Sequence, residues 1–145
     1  VDESTFFYVK ANSKNRPCQV WRHKLGTAAA EDVLVYEEAD DLFIVDCWMS
    51  RDGSLLFLLS ESKETTELHF IPSAAPDSPP TCIRARQQGV RYSASSHAPS
   101  RSLFITSNLD GKTNQEVLVA TLDDPSSWSP LCAAGSQVLA HSASR

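Results

Sequence analysis

The sequence lacks a long hydrophobic run and an excess of basic residues. Its longest apolar stretches, residues 55–59 and 42–45, have the length of a strand, whereas a membrane-spanning helix needs about 20 apolar residues. The 13 Lys and Arg residues stand against 18 Asp and Glu, for a formal charge of -5, so the basic footprint of a nucleic-acid binder is missing. We therefore expect a soluble protein that binds neither a membrane nor a nucleic acid.

Closely spaced cysteines are also absent. Cys18, Cys47, Cys82 and Cys132 lie 29, 35 and 50 positions apart, which excludes the close pairs of metal and redox motifs. Their neighbours are apolar or strand-forming, so we interpret all four as small buried hydrophobes with free thiols. Free thiols favour a reducing compartment, and we expect the cytoplasm. Residues 1–4 lack a starting Met and the regions of an export signal, which indicates the interior of a longer chain.

Motifs for catalysis are missing as well. None of the five glycines belongs to a Gly-x-Ser-x-Gly nucleophile pattern, and His23, His69 and His141 have no partner at the spacing of a zinc pair. Five serines flank His97: Ser93, Ser95, Ser96, Ser100 and Ser102. We interpret this cluster as a solvated hairpin loop rather than a Ser–His pair. The sequence thus predicts no catalytic, cofactor-binding or metal-binding residue, and no cofactor.

Charged residues gather in two sets. The carboxylates of the first set are Glu31, Asp32, Glu37, Glu38, Asp40, Asp41 and Asp46. A calcium loop or a glycosidase pair is not recognisable among them, so we interpret them as a solvated rim between strands. The second set consists of arginines that alternate with apolar residues: Arg22, Arg84, Arg86 and Arg91. This alternation indicates strand faces that present charge to a channel or a rim.

Short β-rich runs separated by turn residues predict an all-β fold. The one helical candidate, residues 27–32, is too short for more than a turn, and we interpret it as a loop. Corresponding strands recur with a period near 48: Leu34, Cys82 and Leu131, for example, are 48 and 49 positions apart. Twelve strands are predicted, at 6–9, 19–24, 33–36, 42–46, 55–59, 67–71, 81–85, 90–95, 103–106, 116–121, 128–132 and 137–141.

Four strands per period of this length are typical of a β-propeller blade; a sandwich or barrel with accidental spacing is the alternative. Residues 1–145 then form a single partial propeller domain of about three four-stranded antiparallel blades, with repeat units near 1–49, 50–98 and 99–145. The run after each acidic or polar step is the natural innermost strand. The chain therefore begins at the second strand of one blade and ends in the innermost strand of another.

Three blades form an open arc, because closed propellers have about four to eight. An arc leaves a bare blade face at each end, so we expect either a piece of a larger propeller or a chain that associates with itself. Two Asp-Gly pairs predict turns. Asp52 and Gly53 precede a strand in the manner of a tight hairpin, in which glycine adopts the positive φ; Asp110 and Gly111 form the second pair.

A specific resemblance emerges from the motifs of the first repeat. Trp21-Arg22-His23-Lys24-Leu25-Gly26-Thr27, a short acidic and alanine-rich stretch, and Leu34-Val35-Tyr36-Glu37-Glu38 together resemble the propeller of the prolyl oligopeptidase family, and the oligopeptidase B branch above all. The similarity continues through residues 62–68, 89–93 and 106–110 and covers about nine-tenths of the chain.

The resemblance implies a function that composition and spacing alone do not predict. Members of this family pair a seven-bladed propeller with an α/β-hydrolase domain that carries a Ser-Asp-His triad. The propeller restricts access to the catalytic cavity, and the oligopeptidase B branch cleaves short peptides after Arg or Lys. The catalytic domain is absent from this chain, so no residue of it inherits a catalytic role.

Two functional hypotheses follow. In the first, the chain is the non-catalytic, substrate-gating propeller portion of such a serine peptidase, with peptides and the hydrolase domain as its partners. In the second, it is a non-enzymatic propeller module that completes its ring by oligomerising and binds a protein partner.

Overall fold

A computed structural model of the chain describes residues 4–108 and 116–130. Eleven strands lie in these ranges, in chain order: β1 (Thr5–Ala11), β2 (Pro17–Lys24), β3 (Val33–Glu37), β4 (Ile44–Met49), β5 (Leu55–Glu61), β6 (Thr66–Pro72), β7 (Thr81–Cys82), β8 (Tyr92–His97), β9 (Ser102–Ser107), β10 (Glu116–Thr121) and β11 (Asp124–Pro130). Two single-turn 3-10 helices, Ala29–Glu31 and Ala98–Ser100, complete the description. Neither has the length or apolar content to cross a membrane.

The strands form three antiparallel meanders. The first sheet has the order β1-β2-β3, the middle sheet β4-β5-β6-β7 and the third sheet β8-β9-β10-β11. Each strand pairs with its sequence neighbour, and the connections between sheets are short linkers. The predicted all-β fold with propeller-like blades is confirmed. The run after each linker, β4 or β8, is the first strand of the next sheet and lies at its edge; the innermost position of these strands stays a prediction.

The core lies between the sheets, in two layers. Side chains of one parity along β5, among them Leu55 and Phe57, pack with Leu103 and Ile105 of the third sheet. Side chains of the other parity, Leu56 and Leu58, pack with the first sheet. A strand covered on both faces needs apolar residues at every position, which explains the unbroken apolar run that the sequence shows here.

Strand boundaries differ from the predictions where a turn or a pair of prolines delays or shortens a strand. Strand β4 begins at Ile44 rather than residue 42, because the Asp40 carboxylate accepts the Leu42 N–H at 2.9 Å and closes an Asx turn. Strand β8 begins two residues late because Gly89, at φ +84°, lies in a turn. Strand β7 has only two residues; the two prolines before it, at 79 and 80, have no N–H to extend the ladder.

Four further predictions have mixed outcomes. The segment predicted as a loop at 27–32 contains the turn Ala29–Glu31, so that prediction was wrong in detail. Gly53 has the predicted positive φ, +74°, in the β4–β5 hairpin. The strand predicted at 137–141 and the turn at Asp110 and Gly111 lie outside the described residues.

Leu58→Ala tests the two-layer core. Leu58 is 0% exposed, so its truncation removes buried apolar contacts and should lower the free energy of unfolding by about 2–5 kcal/mol. Urea denaturation followed by circular dichroism measures the change. The matched control is Leu42→Ala, at a residue 74% exposed, which should stay within about 0.5 kcal/mol of the parent. Equal losses in the two variants would contradict this packing.

Candidate functional site

The candidate site is the surface of the first strands of the middle and third sheets, β4 and β8. Each of these strands has one hydrogen-bonded neighbour within the described ranges, β5 and β9 respectively, so its other edge is open. Strand β4 also carries large apolar side chains that remain exposed: Ile44 at 40%, Trp48 at 39% and Met49 at 39%. Open edges with exposed apolar groups are expected of strands that line the channel of a propeller.

A cavity of about 570 Å³ lies between the ends of these two strands. One wall is aromatic, with the Trp48 and Phe57 rings 5.9 Å apart between centroids. The other wall comes from the third sheet, where the His97 and Phe104 rings are 6.2 Å apart. The lining is mixed, because polar or charged residues stand beside the aromatic ones: Ser50, Arg51, Asp52, Ser95, Ser96 and His97. The volume lies within the range of small-ligand pockets.

The Asp52 carboxylate organises the turn beneath this cavity. Its Oδ1 accepts the Ser50 hydroxyl at 2.8 Å, the Ser54 hydroxyl at 2.7 Å and the Ser54 N–H at 3.0 Å. Partial burial opposes ionisation, but hydrogen bonds from Ser54, Ser50 and Ser96 outweigh it and hold the pKa of Asp52 well below its usual range. The carboxylate is therefore charged throughout the neutral range.

Asp52 also connects the middle sheet to the third sheet. Its Oδ1 accepts the Ser96 hydroxyl at 2.8 Å, and its Oδ2 accepts the Ala98 N–H at 3.0 Å. The Asp-Gly pair was interpreted only as a turn. The contacts across 44 and 46 positions leave no sequence signal, because they depend on how the two sheets pack.

A second polar link lies at the linkers between sheets, around Arg86. Its guanidinium contacts Glu38 and lies 3.0 Å from the Glu67 carboxylate, and the Ser60 hydroxyl donates to Glu38 at 2.5 Å. The Arg86 guanidinium carbon also lies over the Phe43 ring, 3.9 Å from the ring centroid. Burial alone would raise the pKa of both carboxyls, but the hydrogen bonds from Arg86 hold the pKa values of Glu38 and Glu67 below their usual range.

The separation of Glu38 and Arg86 carries a signal that sequence reasoning missed. The two residues are 48 positions apart, which is one repeat. Equivalent positions of successive blades lie side by side, so opposite charges one period apart predict an ion pair between blades.

The other three arginines of the second charged set also join neighbouring sheets. Arg22 lies 3.4 Å from the Asp77 carboxylate, Arg84 donates to the Ser126 carbonyl at 2.9 Å, and Arg91 donates to the Lys63 carbonyl at 2.8 Å. The prediction that these four residues lie on strand faces is wrong for three of them, because only Arg22 lies in a strand. All four make contacts between sheets or their linkers, and presentation of their charge to a channel or a rim stays a prediction.

The carboxylate set divides in the structure. Asp32 has a side chain only 5% exposed, where it accepts the Tyr8 hydroxyl at 2.5 Å and lies 2.6 Å from His23 Nδ1. The Glu38 side chain is 7% exposed. The solvated-rim interpretation is wrong for these two residues. The remaining members are exposed: Glu31, Glu37, Asp40, Asp41 and Asp46. Within residues 4–108 and 116–130 no group of three or more His, Cys, Asp or Glu is placed to hold a metal ion.

The serine and cysteine predictions also divide. Ser93, Ser95, Ser96 and His97 lie in β8 and Ser102 in β9 rather than in a loop. Ser100 lies in the exposed turn between these strands, where its hydroxyl is 2.7 Å from His97 Nδ1. Cys18, Cys47 and Cys82 are free, as predicted, but only partly buried. Burial raises the pKa values of the Cys47 and Cys82 thiols to about 11, so both stay protonated. Cys132 and His141 lie outside the described residues.

Comparison with known proteins shows to which family of domains the chain is similar. The family described as "Prolyl oligopeptidase, N-terminal beta-propeller domain" matches residues 1–144. The chain is 36% identical over 121 residues to Protease 2 of Moraxella lacunata, covering 83% of this chain and 17% of that protein. It is 36% identical over 126 residues to dipeptidyl aminopeptidase BI of Pseudoxanthomonas mexicana, covering 86% and 17%.

A solved structure gives the same result. Oligopeptidase B from Leishmania major superposes with a TM-score of 0.83 at 34% identity, over 89% of this chain and 18% of that one. The chain thus spans less than a fifth of the length of each of these relatives.

Arg86→Leu tests the charge network at the linkers. The substitution leaves the Glu38 and Glu67 side chains, 7% and 15% exposed, without their cation, and should lower the free energy of unfolding at pH 7 by about 3 kcal/mol. Both carboxyls of the parent have lowered pKa values, so their stabilisation is present above about pH 4.3 and is lost as the pH falls through the folded-state values.

In the variant these carboxyls take up protons at a higher pH, so its deficit should shrink between pH 7 and about pH 5. Urea titrations of parent and variant at both pH values measure this deficit in the free energy of unfolding. The control is Arg101→Leu, which breaks a pair whose side chains are 65% and 80% exposed and should cost about 0.5 kcal/mol or less. A deficit for Arg86→Leu that does not depend on pH would contradict the network.

Proposed function

The chain belongs to the family of prolyl oligopeptidase N-terminal β-propeller domains, and we propose that it forms part of a propeller wall that controls which peptides reach a separate catalytic domain. The observation that carries this proposal is the open, apolar edge of β4, where Ile44, Trp48 and Met49 remain exposed. Links such as Asp52 to Ser96 keep neighbouring sheets at a fixed separation. A rigid wall with an open inner edge excludes bulky substrates without any covalent step.

The proposal assigns peptide hydrolysis to another domain of the parent peptidase. A Ser-Asp-His triad on an α/β-hydrolase domain would carry out hydrolysis of short peptides, and this chain would supply none of its members. The absence of a Gly-x-Ser-x-Gly motif in the sequence supports this division. So does the exposed position of His97 and Ser100, since a triad works in a site from which bulk water is excluded.

Cleavage after Arg or Lys is the finer part of the proposal. The similarity to oligopeptidase B supports it, and the charge of -5 favours approach of basic peptides. The free thiols of Cys18, Cys47 and Cys82 support a reducing compartment, the cytoplasm.

Self-association of the isolated chain is a further part of the proposal. The face of the first sheet turned away from the middle sheet carries exposed apolar side chains, Phe6 at 47% and Leu34 at 40%. Tyr8 and Trp21 pair with each other on neighbouring strands of that sheet. A further blade of the parent propeller, or a second copy, would bury this surface.

Channel widening in the full-length peptidase tests the gating function. Ile44→Ala combined with Met49→Ala removes apolar bulk from the open edge of β4. The ratio of kcat/KM for a peptide of about 40 residues to that for a short reporter should rise several-fold, while the value for the short reporter stays near the parent's. The control is Leu25→Ala, at an exposed residue outside β4. An unchanged ratio would overturn the gating proposal.

The chain alone provides the companion measurement. It should not hydrolyse Arg- or Lys-containing reporter peptides. Turnover that a serine-reactive inhibitor abolishes would show that the chain itself carries the nucleophile, against the proposed division of labour.

Light scattering over a concentration series tests self-association. The weight-average mass should rise with concentration, because the open face of the first sheet loses water on contact. Phe6→Ser, at a residue 47% exposed, should reduce this rise, and Leu42→Ser serves as the control at an exposed residue outside the sheet. A constant monomer mass at high concentration would contradict the open-face argument.

A further inference from the structure

The segment that forms β4 has the composition of a strand that pairs readily with another strand. Residues 42–49 are all apolar except Asp46, and they include no Pro or Gly. Segments with high β-propensity and little charge tend to accept an added strand when they lie at an exposed sheet edge. Strand β4 lies at such an edge, because β5 is its one hydrogen-bonded neighbour among the described residues. Its side chains Ile44, Trp48 and Met49 are exposed.

The register of the β4–β5 pair shows which backbone groups face the open edge. The Ser50 N–H donates to the Leu55 carbonyl at 2.8 Å, and the pairing continues through β4 without a bulge. Hydrogen-bonded pairs alternate with non-hydrogen-bonded pairs in an antiparallel ladder. The backbone groups of residues 44, 46 and 48 therefore face β5, and those of residues 45, 47 and 49 face away from it.

The Asp46 carboxylate occupies the middle one of the three outward N–H groups. Its Oδ1 accepts the Cys47 N–H at 2.8 Å, and Asp46 is exposed to solvent. An added strand would have to bring a carbonyl oxygen to the same N–H, where the carboxylate oxygen repels it. The added strand would also remove water from the carboxylate, which costs free energy. Both effects oppose strand pairing at the centre of the β4 edge.

A similar contact lies beside the other open edge. Strand β9 is the one neighbour of β8 among the described strands, and the Ala98 N–H, directly after β8, donates to Asp52 Oδ2 at 3.0 Å. An aspartate carboxylate thus occupies a backbone N–H at each of the two open-edged strands.

We propose that Asp46 is an edge-blocking residue, which prevents an extended peptide from pairing with β4 as an added strand. This inference rests on the proposed function, since peptides reach the β4 edge only if β4 belongs to the wall along which they pass. Strand addition would hold a peptide by several backbone hydrogen bonds at once, and a peptide held in this way would obstruct the passage. Asp46 lets the wall expose apolar side chains without retaining peptide backbones.

Binding of a neutral, strand-forming peptide to the 145-residue chain tests this role. The probe is acetyl-Ser-Thr-Val-Thr-Val-Thr-Ser-amide, and amide signals in NMR spectra follow its titration. Asp46→Ala frees the Cys47 N–H, so it should bind the probe about tenfold more tightly than the parent does. Saturable shifts should appear at the outward amides of residues 45, 47 and 49. The same peptide with N-methyl groups on alternate residues cannot donate along one edge, and it should bind to neither protein.

Three further variants separate the hydrogen bond from the charge. Asp46→Asn keeps an acceptor for the Cys47 N–H, so it should bind the probe more weakly than Asp46→Ala. Asp46→Val removes the carboxylate and favours a strand; it should bind at least as tightly as Asp46→Ala, and it protects the test if the alanine variant fails to fold. Asp41→Ala is the matched control, because it removes the same charge from an exposed turn before β4, and it should bind as the parent does.

Two results would overturn the proposal. One is equal affinity of the parent, Asp46→Ala and Asp46→Val for the probe, and the other is equal affinity of Asp46→Asn and Asp46→Ala. Failure of this inference is distinguishable from failure of the gating proposal. Variants that ignore the probe, while the full-length peptidase still changes its size selectivity on channel widening, would remove the edge-blocking role and leave the gate.

Discussion

Burial of the middle sheet on both faces is the constraint on which the rest of the structure depends. Leu55 and Phe57 of β5 contribute to the layer shared with the third sheet, and Leu56 and Leu58 to the layer shared with the first. A single strand thus holds two interfaces together. The first and third sheets each have one face packed against the middle sheet, and among the described residues neither has a separate buried cluster of its own.

Polar links fix the angle and the separation between neighbouring sheets, which apolar packing alone leaves adjustable. Arg86 joins the linker after the first sheet to the linker after the middle sheet through Glu38, and Asp52 joins the β4–β5 turn to the end of β8. Because these contacts flank the open edges of β4 and β8, the links that stabilise the arc would also set the shape of the proposed channel wall. Under the proposed gating function, stability and function rest on the same side chains.

Much of the fold could be predicted from the sequence, because the repeat relates strands that lie far apart in the chain. Strand spacings near 48 residues, the apolar run at 55–59 and the turn at Gly53 predicted the blades and their order. Contacts between distant side chains were harder to predict. Asp32 and Glu38 were interpreted as solvated acids, but their burial depends on Tyr8 of β1 and on Arg86 in the linker after the middle sheet. The cavity at Trp48 is set by sheet packing, for which local patterns carry no information.

Native-state hydrogen exchange tests the central claim most directly. If the middle sheet holds the arc together, the amides of β5 and β6 should exchange only through global unfolding, and the first and third sheets should lose protection no later than they do. Persisting protection in the first or third sheet after β5 has exchanged would contradict the account, because it would show that those sheets are stable without the strand on which both of them pack.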